Sequence, residues 1–194
     1  MRKIIALILA LGLVVTLTAC SGKAPEVISS DRILVAYFSA SGNTQRVAEN
    51  LADLLGADIY EIVPEEPYIE ADLESTSSYS RPAREQNDAA SRPAISGAVE
   101  NMGDYSAVFL GYPIWWGEAP MIMRTFLESY DFSGKIIVPF CTSANSGLGS
   151  SAVNLHGAAS GSPEWLDGTR FPSGAARQAV VEWLEDLPFS IVEK

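Results

Sequence analysis

The sequence predicts an α/β fold built on a doubly wound parallel sheet of five strands in the order 2-1-3-4-5. Short, continuous apolar runs, which are typical of strands buried on both faces, alternate along the chain with amphipathic helix patterns. Right-handed crossovers convert such an alternation into one parallel sheet with helices on both faces. No internal repeat or low-complexity tract competes with this prediction.

The first half of the sheet reads as strand, helix, strand. Residues 33–38 are an apolar run bounded by polar residues and form the predicted first strand. Apolar residues then recur at i, i+4, i+7 and i+8 from Val47 to Leu55, which predicts a helix. Residues 58–63 mix Ile and Tyr with acids, as an edge strand does, and Pro64 ends this second strand.

A long polar segment, residues 64–104, follows the second strand and is expected to lie over the strand ends. One short helix is predicted in it over residues 84–90. The segment also holds the main cluster of basic residues, namely Arg81, Arg84 and Arg92. These could meet an anionic substrate or a partner, although such charges are more often solvated.

The second half continues the alternation. Residues 107–111 and 136–140 are apolar throughout and form the predicted third and fourth strands. A helix that starts at Pro120, where a missing N–H is harmless, lies between them. A weaker fifth strand is predicted at residues 165–166, and a final helix ends before Pro188.

The start of the chain has the features of an export signal. Two basic residues precede an apolar run over residues 4–15 that is too short to span a bilayer. The following Leu17-Thr18-Ala19-Cys20 resembles a bacterial lipobox, which implies cleavage before Cys20 and lipidation of its thiol. The chain is therefore divided into a signal peptide (1–19), a lipidated cysteine with a flexible tether (20–31) and one folded domain (32–194). An uncleaved signal anchor is the alternative.

Charge and cysteine content narrow the function. The formal net charge is −11, and removal of the signal peptide makes it two units more negative. Such a charge disfavours nucleic acid and favours docking to a basic face on a partner protein. With Cys20 lipidated, Cys141 has no disulfide partner and is interpreted as a buried residue. No metal site is predicted, and the oligomeric state is left open.

The turn after the first strand is a candidate phosphate site. It places hydroxyls, amides and a glycine at the start of a helix, whose first N–H groups have no intrahelical acceptor. Because the turn has no lysine or arginine, backbone N–H groups, hydroxyls and the helix dipole would bind the phosphate. Alternatively, Ser41 or Asn43 only caps the helix. The candidate residues are Ser39, Ser41, Gly42, Asn43, Thr44 and Gln45.

Two further turns at the same predicted edge suggest a site for a planar ring. Residues 113–117 contain Trp115 and Trp116, neither of which is expected to serve the core. Stacking on a ring would bury them, and aromatic contacts contribute about 0.5–1.5 kcal/mol beyond area. Residues 141–149 are again rich in hydroxyls and glycine. Alternatively, both indoles plug the end of the sheet.

The three turns closely resemble those of the flavodoxin family, in S-A-S-G-N-T, in G-Y-P-I-W-W-G and in F-C-T-S-A-N-S-G-L-G. The resemblance spans roughly residues 32–187. It implies a flavodoxin-like fold that binds FMN, with the phosphate in the first turn. The residues that would line or meet the flavin ring are Pro113, Ile114, Trp115, Trp116, Gly117, Thr142, Ser143, Ser146 and Gly147.

The sequence therefore predicts an FMN-binding electron carrier anchored outside the cytoplasmic membrane. Two alternatives stay open. One is an FMN oxidoreductase linked to NAD(P)H or a quinone, although the chain has no G-x-G-x-x-G turn for a nucleotide. The other is a non-redox module that binds a phosphorylated ligand. The single histidine, His156, is interpreted as a surface or packing residue rather than a proton donor.

Overall fold

A computed structural model describes residues 26–29, 32–73 and 77–192 of the chain. The predicted signal peptide and Cys20 lie outside the described residues. The helices are α1 (Asn43–Leu55), α2 (Arg81–Asn87), α3 (Ile122–Glu128) and α4 (Arg177–Glu185). The strands are β1 (Glu26–Ser29), β2 (Ile33–Tyr37), β3 (Asp58–Glu61), β4 (Val63–Pro64), β5 (Ile95–Ser96), β6 (Ala107–Pro113), β7 (Ile136–Thr142), β8 (Glu164–Trp165), β9 (Thr169–Phe171) and β10 (Phe189–Val192).

The central sheet confirms the predicted α/β fold and strand order. Its strands are all parallel and run β3-β2-β6-β7-β8, with β9 also paired to β7. In order of the five predicted strands this is 2-1-3-4-5. β2 and β7 are buried over their whole length, as is β6 up to Tyr112, which explains their continuous apolar sequences.

Helices cover both faces of the sheet, and each face has its own apolar core. On one face α1 packs Val47, Leu51 and Leu55, and α4 adds Val180. On the other face α3 buries Met123 and its neighbours, together with a 3₁₀ helix over Val153–Ala158. The helical spacing of apolar residues therefore identified the buried faces of the helices.

The boundaries of several elements differ from the predictions. The second strand ends at Glu61, and Val63–Pro64 forms a separate antiparallel pair with Ile95–Ser96. The single fifth strand is replaced by the two short strands β8 and β9. α2 begins at Arg81 rather than residue 84, because Ser80 Oγ accepts a hydrogen bond from Ala83 N–H and so caps the helix.

The segment predicted to be a flexible tether contains a strand. Glu26–Ser29 pairs in parallel with Phe189–Val192, forming a two-stranded sheet apart from the central one. The first strand of the domain therefore precedes residue 32. This pairing joins distant parts of the chain, so local sequence patterns could not reveal it. Among the described residues, no helix is both long and apolar enough to cross a membrane.

Candidate functional site

Three turns meet at the carboxyl edge of the sheet. β6 and β7 are in register from their first residues to Pro113 and Thr142, so the turns that follow them lie side by side. Phe38 N–H donates to Gly111 O at 2.9 Å, and Ile114 N–H donates to Thr142 O at 3.0 Å, so pairing continues into the turns. Ligands of parallel α/β sheets bind at this edge.

The first turn leads into a helix start without a side-chain cap. Gly42 has φ 79° at the N-cap of α1, and in the described structure no side chain accepts a hydrogen bond there. Ser41 and Asn43 therefore do not cap the helix there, and instead Asn43 Nδ2 donates to Ser41 Oγ at 3.1 Å. Ser39 Oγ is buried and has no hydrogen-bond partner among the described residues. A buried hydroxyl without a partner is costly, so this site fits an anionic oxygen that accepts from Ser39 and from the helix N–H groups.

The Thr44 hydroxyl ties the first turn to the third. It lies 2.8 Å from Thr142 Oγ1, and both side chains are buried. The Gln45 amide is also engaged, because its Nε2 donates to Glu49 Oε1 at 3.0 Å. The structure thus brings the predicted phosphate residues together, but it leaves the backbone N–H groups of Thr44 and Gln45, rather than their side chains, for a ligand.

The two indoles of the second turn have different environments. Trp115 packs edge-to-face against Phe38 and Tyr68, with ring centroids 5.3 and 4.9 Å apart. Trp116 is 50 % exposed and has φ 52°. The expectation that neither indole serves the core is therefore wrong for Trp115. It is wrong because the long polar segment places Tyr68 over the strand ends, where it encloses the first indole.

A cavity of about 200 Å³ lies between the indoles and the long segment. One wall consists of Ile114, Trp115 and Trp116 of the second turn. The facing wall consists of Asp72, Leu73, Ser80 and Pro82. The 64–104 segment, whose role the sequence left open, therefore supplies half of a cavity beside the proposed ring site.

Tyr68 is a site residue that sequence reasoning missed. Its hydroxyl donates to Glu85 Oε2 at 2.7 Å, and Arg81 stacks 4.2 Å above its ring. Burial, followed by the bond to Glu85, raises the pKa of Tyr68. The sequence did contain a signal for this role, since a large aromatic residue in a polar segment needs a surface to pack against.

The arginines of the long segment are paired within the domain. Arg81 Nε lies 2.7 Å from Glu85 Oε1, and Arg92 forms two bonds of 2.7 and 2.8 Å with Glu128. Arg84 donates to the carbonyl of Tyr79. These contacts position the segment over the sheet edge and leave Arg81 and Arg92 engaged with carboxylates rather than with an anionic substrate.

The third turn is held by an arginine that the sequence analysis did not identify. Arg170, in β9, donates to Ser143 Oγ at 3.2 Å, to Ser143 O at 2.8 Å and to Ala144 O at 2.6 Å. Ser143 Oγ in turn donates to Ser146 O. The predicted ligand residues Ser146 and Gly147 are exposed in this braced turn. A three-residue strand carries no periodic signal, so Arg170 could not be placed from sequence.

Two further residues have packing roles. Cys141 is buried in β7, and burial raises the pKa of its thiol to about 12. His156 stacks on Trp165 with ring centroids 4.3 Å apart, and burial lowers the pKa of its imidazole. Cys141 does not have the environment of a reactive group, because a reactive thiol needs a depressed pKa.

Comparison with known proteins identifies the family. The family model for flavodoxin matches residues 32–187. The fold is similar to that of a candidate flavoprotein from Bacteroides eggerthii, at 44% identity and a TM-score of 0.73, covering 79% of this chain and 96% of that chain. A candidate flavoprotein from Bacteroides uniformis has 37% identity and a TM-score of 0.75, covering 80% of this chain and 99% of that chain.

A more distant structure shares the fold. The flavoprotein from Lactobacillus acidophilus, crystallised in complex with FMN, has 21% identity and a TM-score of 0.57, covering 83% of this chain and 99% of that chain. No curated protein matches the chain. Because the family model covers most of the sequence, including all three turns, the chain belongs to the flavodoxin family.

Proposed function

We propose that this chain binds FMN and carries electrons between redox partners outside the cytoplasmic membrane, to which a lipid on Cys20 anchors it. The observation that carries the proposal is the buried Ser39 Oγ, which has no partner among the described residues and belongs to the turn that leads into α1, three residues before its N-cap Gly42. A phosphate would accept hydrogen bonds from this hydroxyl and from the helix N–H groups. The FMN complex of the Lactobacillus acidophilus protein supports the choice of ligand.

The residues of the three turns divide the task of holding FMN. Ser39, Gly42 and the N–H groups that follow would bind the phosphate. Trp116, half exposed at the second turn, is the indole available for the flavin ring, since Trp115 is occupied by Phe38 and Tyr68. The third turn, braced by Arg170, would meet the other edge of the ring. Bound FMN supplies reversible one- and two-electron chemistry, and the chain's residues bind and orient it.

A titration with two flavins tests the phosphate site. The full-length protein in detergent should quench the fluorescence of FMN on binding, and it should bind riboflavin, which lacks the phosphate, far more weakly. Ser39→Ala should weaken FMN binding about tenfold, because a hydrogen bond to a charged group contributes about 1.5 kcal/mol or more. The variant should leave riboflavin binding unchanged. A colourless protein that takes up no FMN, or one that binds both flavins equally, would contradict the proposal.

Electron transfer is tested separately from binding. The FMN-loaded protein should be reduced by dithionite and reoxidised by a one-electron acceptor, with little reduction by NADPH alone. Rapid oxidation of NADPH would instead favour an oxidoreductase. The net charge of −11 supports a partner with a basic docking face, so the rate of transfer from such a partner should fall as salt is added.

The membrane anchor has its own test. Two or more acyl chains bind a bilayer stably, whereas a single chain binds only marginally. The wild-type protein should therefore partition into the detergent phase on phase separation, and Cys20→Ala should move it to the aqueous phase or leave it as an uncleaved precursor. A mature, unlipidated wild-type protein would contradict the anchor while leaving FMN binding intact.

A further inference from the structure

The turn that carries Trp116 is an unusually constrained one. Trp115 N–H donates to Glu118 O at 2.9 Å, and Glu118 N–H donates to Trp115 O at 3.0 Å. Between them Trp116 has φ 52° and Gly117 has φ 83°, so both central residues of this two-residue turn are left-handed. Glycine adopts this conformation freely, but a tryptophan does so at a cost, and surrounding contacts must therefore hold the turn.

The Glu118 side chain supplies such contacts. Its two carboxylate oxygens accept hydrogen bonds from Asn154 Nδ2 at 2.9 and 3.0 Å. A longer bond of 3.4 Å comes from Ser150 Oγ. Both donors lie beyond the third turn, in or just before the 3₁₀ helix. The carboxylate thus bridges the turn of Trp116 to the segment that follows the third turn.

Asn154, the main donor to the Glu118 carboxylate, is itself fixed by two hydrogen bonds of its backbone groups. Arg124, on α3, donates from its guanidinium to Asn154 O at 2.8 Å. Asn154 N–H donates to Ser150 O at 2.9 Å. Asn154 is therefore fixed relative to α3, and the restraint passes from that helix through Asn154 to Glu118. A bond that involves a charged group is about twice as strong as a neutral one, so the carboxylate is well suited to this role.

We propose that Glu118 is a positioning residue for bound FMN, with two separable effects. Through Asn154 it holds the Trp116–Gly117 turn in the conformation that meets the flavin ring. Through its negative charge it makes reduction of the flavin less favourable, because reduced flavin tends to carry negative charge. This inference rests on the proposed FMN binding. It identifies Glu118 as the side chain that fixes the Trp116–Gly117 turn and lowers the midpoint potential of the bound flavin.

Two variants separate the two effects. Glu118→Gln removes the charge but keeps an oxygen that accepts from Asn154. Asn154→Ala removes the bridge but keeps the charge. FMN affinity is measured by fluorescence titration, and the midpoint potentials are measured by redox titration of the loaded full-length protein. Glu182→Gln, on α4 at the opposite face of the sheet, is the matched control for loss of a charge.

Glu118→Gln should raise the midpoint potential and change FMN affinity less than threefold. Asn154→Ala should weaken FMN binding about tenfold and change the midpoint potential much less. In the protein without FMN, Asn154→Ala should also make tryptophan fluorescence more accessible to acrylamide, because Trp116 is no longer held. Glu182→Gln should match the wild type in all three measurements.

The outcomes separate this inference from the proposed function. If the wild type binds no FMN, the proposed function fails. If the wild type binds FMN while Glu118→Gln leaves the midpoint potential unmoved and Asn154→Ala leaves both affinity and quenching unmoved, the positioning role of Glu118 is wrong and FMN binding stands. Urea unfolding of each variant shows whether a change in affinity comes from loss of the fold, in which case Glu118 is structural only.

Discussion

Adjacent residues of the same type have different tasks in the second turn. Trp115 is enclosed by Phe38 and Tyr68, whereas Trp116 is half exposed and left-handed in its backbone. The first indole completes the aromatic packing at the end of the sheet. Strained backbone at an exposed aromatic residue is typical of a binding site, where function maintains a conformation that folding alone disfavours.

Single alanine substitutions should separate these two roles. Trp115→Ala removes a packed aromatic side chain and should lower the free energy of unfolding by about 3 kcal/mol. Trp116→Ala removes a half-exposed side chain, keeps the left-handed backbone and should change that free energy by less than about 0.5 kcal/mol. It should nevertheless weaken FMN binding about tenfold. Urea unfolding and FMN titration measure the two quantities, and equal destabilisation by both substitutions would contradict the assignment.

Sequence patterns predicted that the three turns lie at one edge of the sheet, but they did not predict the contacts that the individual residues make there. The three turns were predicted because hydroxyl, glycine and aromatic residues follow buried strands, and all three lie at one edge. The engagement of Thr44 with Thr142, 98 residues apart, could not be predicted. Nor could the packing of Tyr68 on Trp115, because both contacts depend on tertiary geometry.

At the scale of elements, the packing of the Phe140 ring of β7 across β6 depends on one glycine. A Cβ atom at Gly111 would overlap the Phe140 ring, which crosses over it from the adjacent strand. Gly111→Ala should therefore lower the free energy of unfolding by about 1–3 kcal/mol, as overpacking of a core does. Gly103→Ala, whose added Cβ meets no atom within 4 Å, is the matched control and should be near neutral. Thermal or urea unfolding that ranks the two substitutions equally would contradict this account.

β9 has only three residues, but it carries Arg170, which braces the third turn. Arg170→Lys keeps the charge but cannot reproduce the forked contacts with Ser143 and Ala144. We expect FMN affinity to fall about tenfold with a smaller change in stability. The exposed Arg84, bonded only to a carbonyl among the described residues, offers a control in Arg84→Lys. An unchanged FMN affinity in Arg170→Lys would show that the third turn keeps its conformation without the forked contacts of Arg170.

The long, strongly periodic elements were predictable, and of the two- and three-residue strands of the central sheet only β8 was anticipated, as the weak fifth strand at residues 165–166. α1 has apolar residues at helical spacing, and the buried strands are short continuous apolar runs between polar residues, the patterns typical of a helix and of central strands. β4, β5, β8 and β9 have two or three residues each, too few for a period to be read. The pairing of β1 with β10 requires knowledge of where both ends of the domain lie. Local sequence patterns do not predict such long-range strand pairing.

For the whole molecule, the negative net charge affects the stability of the fold as well as the docking of partner proteins. A net charge of −11 makes the folded state repel itself, and salt screens that repulsion. Several groups that are neutral at pH 7 add further negative charge at high pH. Burial, aided for the tyrosines by nearby carboxylates, raises the pKa values of Tyr37, Tyr105 and Cys141 to about 12.

These raised pKa values predict loss of stability in alkali. In the unfolded chain the thiol and the phenols ionise near their ordinary pKa values of 9.0 and 10.0, whereas the fold keeps them protonated. Their contribution is therefore complete below about pH 9 and is lost as the pH rises towards about 12. The urea midpoint should fall steadily between pH 8 and pH 11. Tyr105→Phe, which removes one ionising group and its bond to Asp58, should start from a lower midpoint at pH 8 and fall less steeply. A midpoint that stays constant to pH 11 would show that these groups ionise as readily in the folded protein as in the unfolded chain.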